Sequence, residues 1–141
     1  MIIKQLSVFL ENKTGRLSEV SSILGNAAIN MTAFSIADSS DFGILRVIVS
    51  EPAKALELLK TNNFAASLTE VICLSCPNQP GAMSKALDIL SSENIPIEYM
   101  YAFSFNQSAN IIIRPADILE CIKILQKHEL ELLKASDLYR L

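Results

Sequence analysis

The chain has no tryptophan, only four glycines, five prolines, three cysteines and one histidine, and just 19% of its 141 residues are charged. Each shortage closes off a class of function. Twelve Lys plus Arg against fifteen Asp plus Glu leave a net charge of −3, so no basic field exists to neutralise phosphates or an anionic bilayer. Nucleic acid and membrane surfaces are therefore poor candidates as partners. No run approaches the ~20 consecutive apolar residues that a spanning helix needs. The opening Met-Ile-Ile-Lys-Gln-Leu-Ser-Val alternates instead of forming the apolar centre of a signal peptide. Cys73, Cys76 and Cys121 are an odd set without framework spacing, which fits free thiols in a reducing compartment, and the expected location is the cytoplasm. One histidine, no serine or cysteine triad and no phosphate loop leave no set of groups for acid–base or covalent catalysis. The expectation is a protein that is not an enzyme and holds no cofactor or metal.

What the chain does have is apolar surface and a repeat. Half of the residues are hydrophobic, enough for a core and too many for disorder. Asn12 to Leu17, Asn-Lys-Thr-Gly-Arg-Leu, stands between a strand-like alternation and a helix-like stripe. Asn78 to Met83, Asn-Gln-Pro-Gly-Ala-Met, stands in the same setting 66 residues later. Leu17 with Met83, Ser18 with Ser84, Ile23 with Ile89, Leu24 with Leu90 and Ile29 with Ile95 keep their chemistry at that offset.

Leu6, Val8 and Leu10 alternate with Gln5, Ser7 and Phe9 as in a strand, and Leu17, Val20, Ile23 and Leu24 recur at helical spacing, with Gly25-Asn26 expected to close the helix in a left-handed turn. Ile29 to Asp38 and Phe42 to Val49 read as strands joined by a turn at Ser39-Ser40-Asp41. Pro52 opens a second helix, and Phe64 to Leu68 is a fourth strand. The second half repeats this order with Val71 to Cys76, Met83 to Leu90, Ile95 to Phe105, Ala109 to Arg114, Pro115 to Lys127 and Glu129 to Leu133. Aligning Pro52 with Pro115 lowers the offset to 63, which implies three fewer residues in the second hairpin region, regained before Leu130. A short helical turn is expected in the tail from Ala135.

The fold class that follows is α+β: two ferredoxin-like βαββαβ modules in tandem, residues 1–70 and 71–141, with antiparallel sheets and the helices on one face.

The residues that carry the repeat resemble the ACT domain, a small regulatory module, present here twice over nearly the whole chain. The resemblance rests on the element order, on Glu11 to Leu17 and Pro77 to Met83 after the first strand of each half, and on Ala-Ile-Asn-Met (Ala28 to Met31) and Asn-Ile-Pro-Ile (Asn94 to Ile97) at the start of the next strand. It implies a non-catalytic protein that binds a free amino acid or similar metabolite at the contact between modules and reports it to a metabolic enzyme or regulator, with a homodimer as one arrangement. In the serine-sensing domains of phosphoglycerate dehydrogenases, which the halves resemble, one module lends an asparagine from the glycine loop and the facing module one from the second strand. Those positions fall on Asn12 and Asn30, and on Asn78 and Pro96. A family histidine before the loop is replaced by Leu10.

The candidate ligand-binding set is thus Asn12, Lys13, Thr14, Gly15, Arg16 and Leu17 with Asn30 and Met31, and Asn78, Gln79, Pro80, Gly81, Ala82 and Met83 with Ile97 and Tyr99. A zwitterion taken out of water needs fixed donors and acceptors, which Asn side chains and a loop running into a helix N-terminus can supply. With Pro96 in place of an asparagine, a site pairing Asn78 with Asn30 is complete and one pairing Asn12 with Pro96 is not.

Plainer readings stand beside these. The glycine loops can be mere strand-to-helix turns. Cys73 and Cys76 have the spacing of a zinc half-site, yet on a strand they point to opposite faces. Tyr99, Tyr101 and Phe103 share one face of their strand and read first as packing residues. The alternative function is a ligand-free docking module that uses its sheet edge or open face. A third is a small enzyme on the same fold.

Overall fold

The computed structural model describes residues 1–39 and 41–141, so Ser40 of the expected Ser39-Ser40-Asp41 turn lies outside the described residues. The chain divides into two compact units: Lys4–Thr69 with Ser136–Leu141, and Met1–Ile3 with Glu70–Ala135.

In the first unit β1 (Ile3–Glu11), α1 (Arg16–Asn26), β2 (Met31–Asp38), β3 (Phe42–Val49), α2 (Pro52–Thr61) and the start of β4 (Ala65–Pro77) follow in order. The strands lie β2-β3-β1-β4, with β3 antiparallel to both β1 and β2. Leu6, Val8 and Leu10 pair with or neighbour Leu45, Val47 and Val49, and that face is covered by Val20 and Leu24 of α1 and Ala55 and Leu59 of α2. All ten are buried, so the period-2 and period-3.6 stripes meet as one core. The tail helix α5 (Ala135–Tyr139) buries Leu138, and the Tyr139 hydroxyl accepts from the Lys4 amide at 2.7 Å.

The second unit repeats the plan with the rest of β4, α3 (Ala82–Ser92), β5 (Ile97–Phe105), β6 (Ser108–Pro115), α4 (Ile118–Lys127) and β7 (Glu131–Leu132). β6 pairs antiparallel with β4 and β5, and β7 pairs with β4. Ile72, Leu74, Ile111 and Ile113 form its core with Ala86, Leu90, Cys121, Ile124 and Leu125. The α+β class and the antiparallel βαββαβ order read from the sequence hold.

The repeat extends to single hydrogen bonds. The Ile29 amide donates to the Leu24 carbonyl and the Ile95 amide to the Leu90 carbonyl, both at 2.9 Å; Phe64 donates to Leu59 at 2.9 Å and Leu130 to Leu125 at 3.0 Å. The Ser50 amide donates to the Asn30 carbonyl and the Ala116 amide to the Pro96 carbonyl, both at 3.0 Å.

These equivalences correct several sequence expectations. The offset stays at 66 through the second helix, because Glu51 caps α2 where Asp117 caps α4, so Pro52 matches Ile118. Pro115 ends β6, and α4 opens on the Asp117 side chain, which accepts from the Glu120 amide at 3.0 Å; a cap bond, not the proline, sets that boundary. β4 is one strand from Ala65 to Pro77, since no Gly or Pro interrupts Leu68-Thr69-Glu70. α1 runs through Gly25 and Asn26, and the left-handed residue is Ala28 at φ 57°, matched by Asn94 at φ 57°. β7 is shorter than the expected Glu129 to Leu133, because Glu129 at φ 58° still belongs to the turn that closes α4.

Two glycines should therefore respond with opposite signs. Gly15 sits at φ +93°, whereas Gly25 lies within α1 and has open space where a Cβ would stand. Gly15→Ala should lower stability by about 1 kcal/mol and Gly25→Ala should raise it by about 0.4–1 kcal/mol, read from urea denaturation midpoints.

Candidate functional site

Each first strand turns into its helix by the same route. The Lys13 amide donates to the Glu11 carbonyl and the Gln79 amide to the Pro77 carbonyl, both at 2.8 Å. Arg16 then donates to Lys13 at 3.3 Å and Ala82 to Gln79 at 3.2 Å. Gly15 (φ 93°) and Gly81 (φ 86°) are the N-caps of α1 and α3, and neither helix has a side-chain cap bond. The expected glycine loops are present with a left-handed residue that an L side chain would strain.

Beside the first loop lies a recess of about 220 Å³, lined by Asn12, Lys13, Arg16 and Leu17 of the expected set and by Leu10, Glu11, Ile36, Asp38 and Gly43. Strand register brings the latter group in: Leu10 pairs with Gly43, and Gly43 with Asp38. Sequence reasoning missed Ile36 and Asp38 because only β3, lying between β1 and β2, carries the end of β2 to the loop. The Arg16 guanidinium stacks 4.3 Å above the Phe64 ring and bonds the Glu19 carboxylate at 3.0 Å, and its Nε is buried without a hydrogen-bond partner among the described residues. Lys13 pairs with Glu11 at 2.8 Å, and this bond together with the lysine's charge holds the Glu11 carboxyl below its usual pKa. Thr14 is exposed.

Asn30 does not reach this recess. It precedes β2 at the end opposite Asp38, eight residues away, which is roughly 25 Å of strand. Its amide donates to Ser50 Oγ at 3.0 Å, and its Nδ2 donates to the Leu141 carbonyl at 3.4 Å. Met31 meets Leu17 in a separate apolar groove of about 150 Å³ with Val20 and Phe34.

In the second unit Gln79, Pro80, Gly81 and Ala82 line a recess of about 410 Å³ with Cys76, Lys85, Ala86, Glu129, Leu130 and Glu131. Asn78 is not among its walls; its Nδ2 reaches Ser104 Oγ at 3.5 Å and its amide donates to the Gln107 carbonyl at 3.2 Å. Met83 is exposed, Ile97 packs on the core, and Tyr99 pairs in register with Arg114 on β6, so neither Ile97 nor Tyr99 joins the loop recess.

The remaining chemistry-bearing groups are subdued. Burial pushes the Cys73 thiol up to about 12, and burial with the nearby Asp117 charge pushes Cys121 up to about 11. His128 stands 3.6 Å from Glu93. Among the described residues no cluster of His, Cys, Asp and Glu could hold a metal ion, and no helix is long and apolar enough to cross a membrane.

A family model described as an ACT domain pair matches residues 1–141. The crystal structure of a protein from Bacteroides thetaiotaomicron superposes with a TM-score of 0.96 at 53% identity, covering 100% of this chain and 98% of that one. The ligand-free regulatory subunit of aspartate kinase from Thermus thermophilus superposes with a TM-score of 0.65 at 16% identity, over 88% of this chain and 91% of that one. The regulatory subunit of aspartate kinase from Thermus flavus gives 0.58 at 16% identity, over 90% and 94%. At those identities the two kinase subunits share the fold. No curated protein matches the chain.

The thiols supply a check on the geometry. Alkylation of the native protein should modify the half-buried Cys76 first and Cys73 only on unfolding. Because the Cys73 pKa is raised in the folded state from 9.0 to about 12, its unfolded thiol ionises first as pH rises. Its stabilising contribution is complete below pH 9 and is lost toward pH 12, so Cys73→Ala should flatten the fall of stability over that range in urea titrations.

Proposed function

We propose that this chain, which belongs to the ACT domain pair family, is a non-catalytic regulatory protein that binds a free amino acid beside its first glycine loop. We take its two sequence repeats to be residues 1–70 and 71–141, with the tail from Ser136 grouped in space with the first. The recess that Asn12, Lys13, Arg16, Leu17, Ile36 and Asp38 share carries the reading. Cationic and amide donors for a carboxylate, an acid for an ammonium, and aliphatic walls for a side chain stand around one small space, which is the pattern a zwitterion requires. The same fold in regulatory subunits of aspartate kinase supports a role in passing such a signal to a metabolic enzyme or regulator. The raised thiols of Cys73 and Cys121 support the non-catalytic part, since neither is a nucleophile near neutral pH. A cytoplasmic location fits three free cysteines.

Asn30 enters this reading only through a second copy. Roughly 25 Å of strand separates it from the Asn12 recess in its own unit. A ligand that touches both asparagines therefore needs a homodimer in which each chain lends Asn30 to its partner. The competing reading, a docking module, draws on β2, an edge strand with Phe34 60% and Ile36 46% exposed.

A thermal-shift screen against the twenty amino acids tests the proposal. A ligand at 100 times its dissociation constant should stabilise the fold by about 2.7 kcal/mol. Asn12→Ala and Asp38→Asn should each weaken that ligand about tenfold, and Asn30→Ala should do so only if the protein is a dimer. No shift with any amino acid would remove this reading and favour docking through β2.

A further inference from the structure

The two units are copies of one plan, so each serves as a reference for what fills the same space in the other. In the first unit the space between the loop, the first helix and the residue ahead of the last strand is occupied: Arg16 projects from the first turn of α1, its guanidinium lies 4.3 Å over Phe64, and Glu19 holds it at 3.0 Å. At the offset of 66 the second unit has Ala82 for Arg16, Leu130 for Phe64, Ala86 for Val20 and Lys85 for Glu19. Three side chains become smaller at once. All four replacement residues line the recess of about 410 Å³ that opens there. The recess opens at the positions that Arg16 and its neighbours hold in the other copy.

Its charged residues are solvent-exposed and open to a ligand. Lys85, Glu129 and Glu131 border the recess, and none of the three makes an ion pair among the described residues. The first copy carries Asn63 and Ala65 where the two glutamates stand, so the acidic wall is particular to the open copy. One cation against two anions leaves the recess one positive charge short. Gly81 begins α3 at the same wall without a side-chain cap, which adds the partial positive end of an eleven-residue helix on the Lys85 side. An occupant that balances this arrangement carries a carboxylate for Lys85 and α3, an aliphatic stem for Ala82, Ala86 and Leu130, and two positive groups for the glutamates.

We propose that this recess is a second binding site, distinct from the one beside Asn12, and that it takes a basic amino acid, with free arginine in the space that Arg16 fills in the first unit. The side-chain guanidinium or ammonium pairs with one of Glu129 and Glu131 and the α-ammonium with the other by charge-assisted hydrogen bonds, and the α-carboxylate lies at Lys85 and the start of α3. Cys76 lines the same recess and reports on its occupancy.

Calorimetric titration of the whole chain with L-arginine, L-lysine, L-leucine and L-serine tests this. Arginine or lysine should bind, and the double variant Glu129→Gln with Glu131→Gln should weaken that binding about tenfold or more. Ala82→Arg, made together with Leu130→Phe to restore the stack of the first unit, should fill the recess and abolish binding while the protein still melts cooperatively. In the unaltered protein, saturating arginine should also slow alkylation of Cys76. Arginine binding that survives Ala82→Arg with Leu130→Phe, arginine that leaves Cys76 alkylation unchanged, or a response to leucine or serine alone overturns the inference. An arginine response lost in Asp38→Asn but kept in Ala82→Arg assigns the ligand to the first recess, which overturns the second site and leaves the regulatory reading intact. No response to any of the twenty amino acids overturns both.

Discussion

A glycine in the left-handed region, at the junction of a strand with a helix, is the constraint on which both units depend. Gly15 and Gly81 at φ 93° and 86° let the chain leave the sheet and enter a helix within four residues. Two amides on either side of each glycine close onto carbonyls of the strand end and the loop itself. That tight route places the first turn of α1 and α3 against the strand ends. Asn12 and Lys13 of the first loop and Gln79 and Pro80 of the second then stand at the rim of a recess. An L residue at the glycine would strain the backbone even though the space for its Cβ is free.

Within this shared frame the copies diverge by side-chain size, and size decides where empty space falls. Arg16 over Phe64 combines a cation–π contact, worth about 0.5–2 kcal/mol, with the ion pair to Glu19, and it closes one side of the first loop. Ala82 beneath Leu130 leaves the corresponding side open. The first unit consequently has its recess toward β2, bounded by Ile36 and Asp38, and the second toward β7, bounded by Glu129 and Glu131. A duplicated module has thus kept its hydrogen bonds while different faces of the same loop border the recesses described in the two copies.

Much of the fold was legible because the two periodicities are clean. Leu6, Val8 and Leu10 alternate and are buried, Val20 and Leu24 recur at four-residue spacing and are buried, and the second unit repeats both. Prolines misled the reading where another bond was stronger: Pro115 resembles Pro52 as a helix opener, yet the Asp117 cap sets the start of α4. The candidate site was legible only where its residues are contiguous. Asn12, Lys13, Arg16 and Leu17 could be named from the loop, whereas Asp38 and Ile36 come from a strand about 20 or more residues away, through a register no local pattern announces. The resemblance pairs Asn30 with a loop asparagine of a facing module, and the length of β2 holds it away from Asn12 of its own unit.

By itself the sequence determined the repeat, the order of elements and the glycine turns, because these follow from local backbone preference and from which residues must leave water. The tertiary structure alone decided which loop residues share a cavity, which side of each loop is open and how far Asn30 stands from Asn12. Those depend on strand register and on whether a side chain such as Arg16 finds a ring to lie against. Both are properties of residues distant in the chain, and their energies exist only once the sheet and helices have packed.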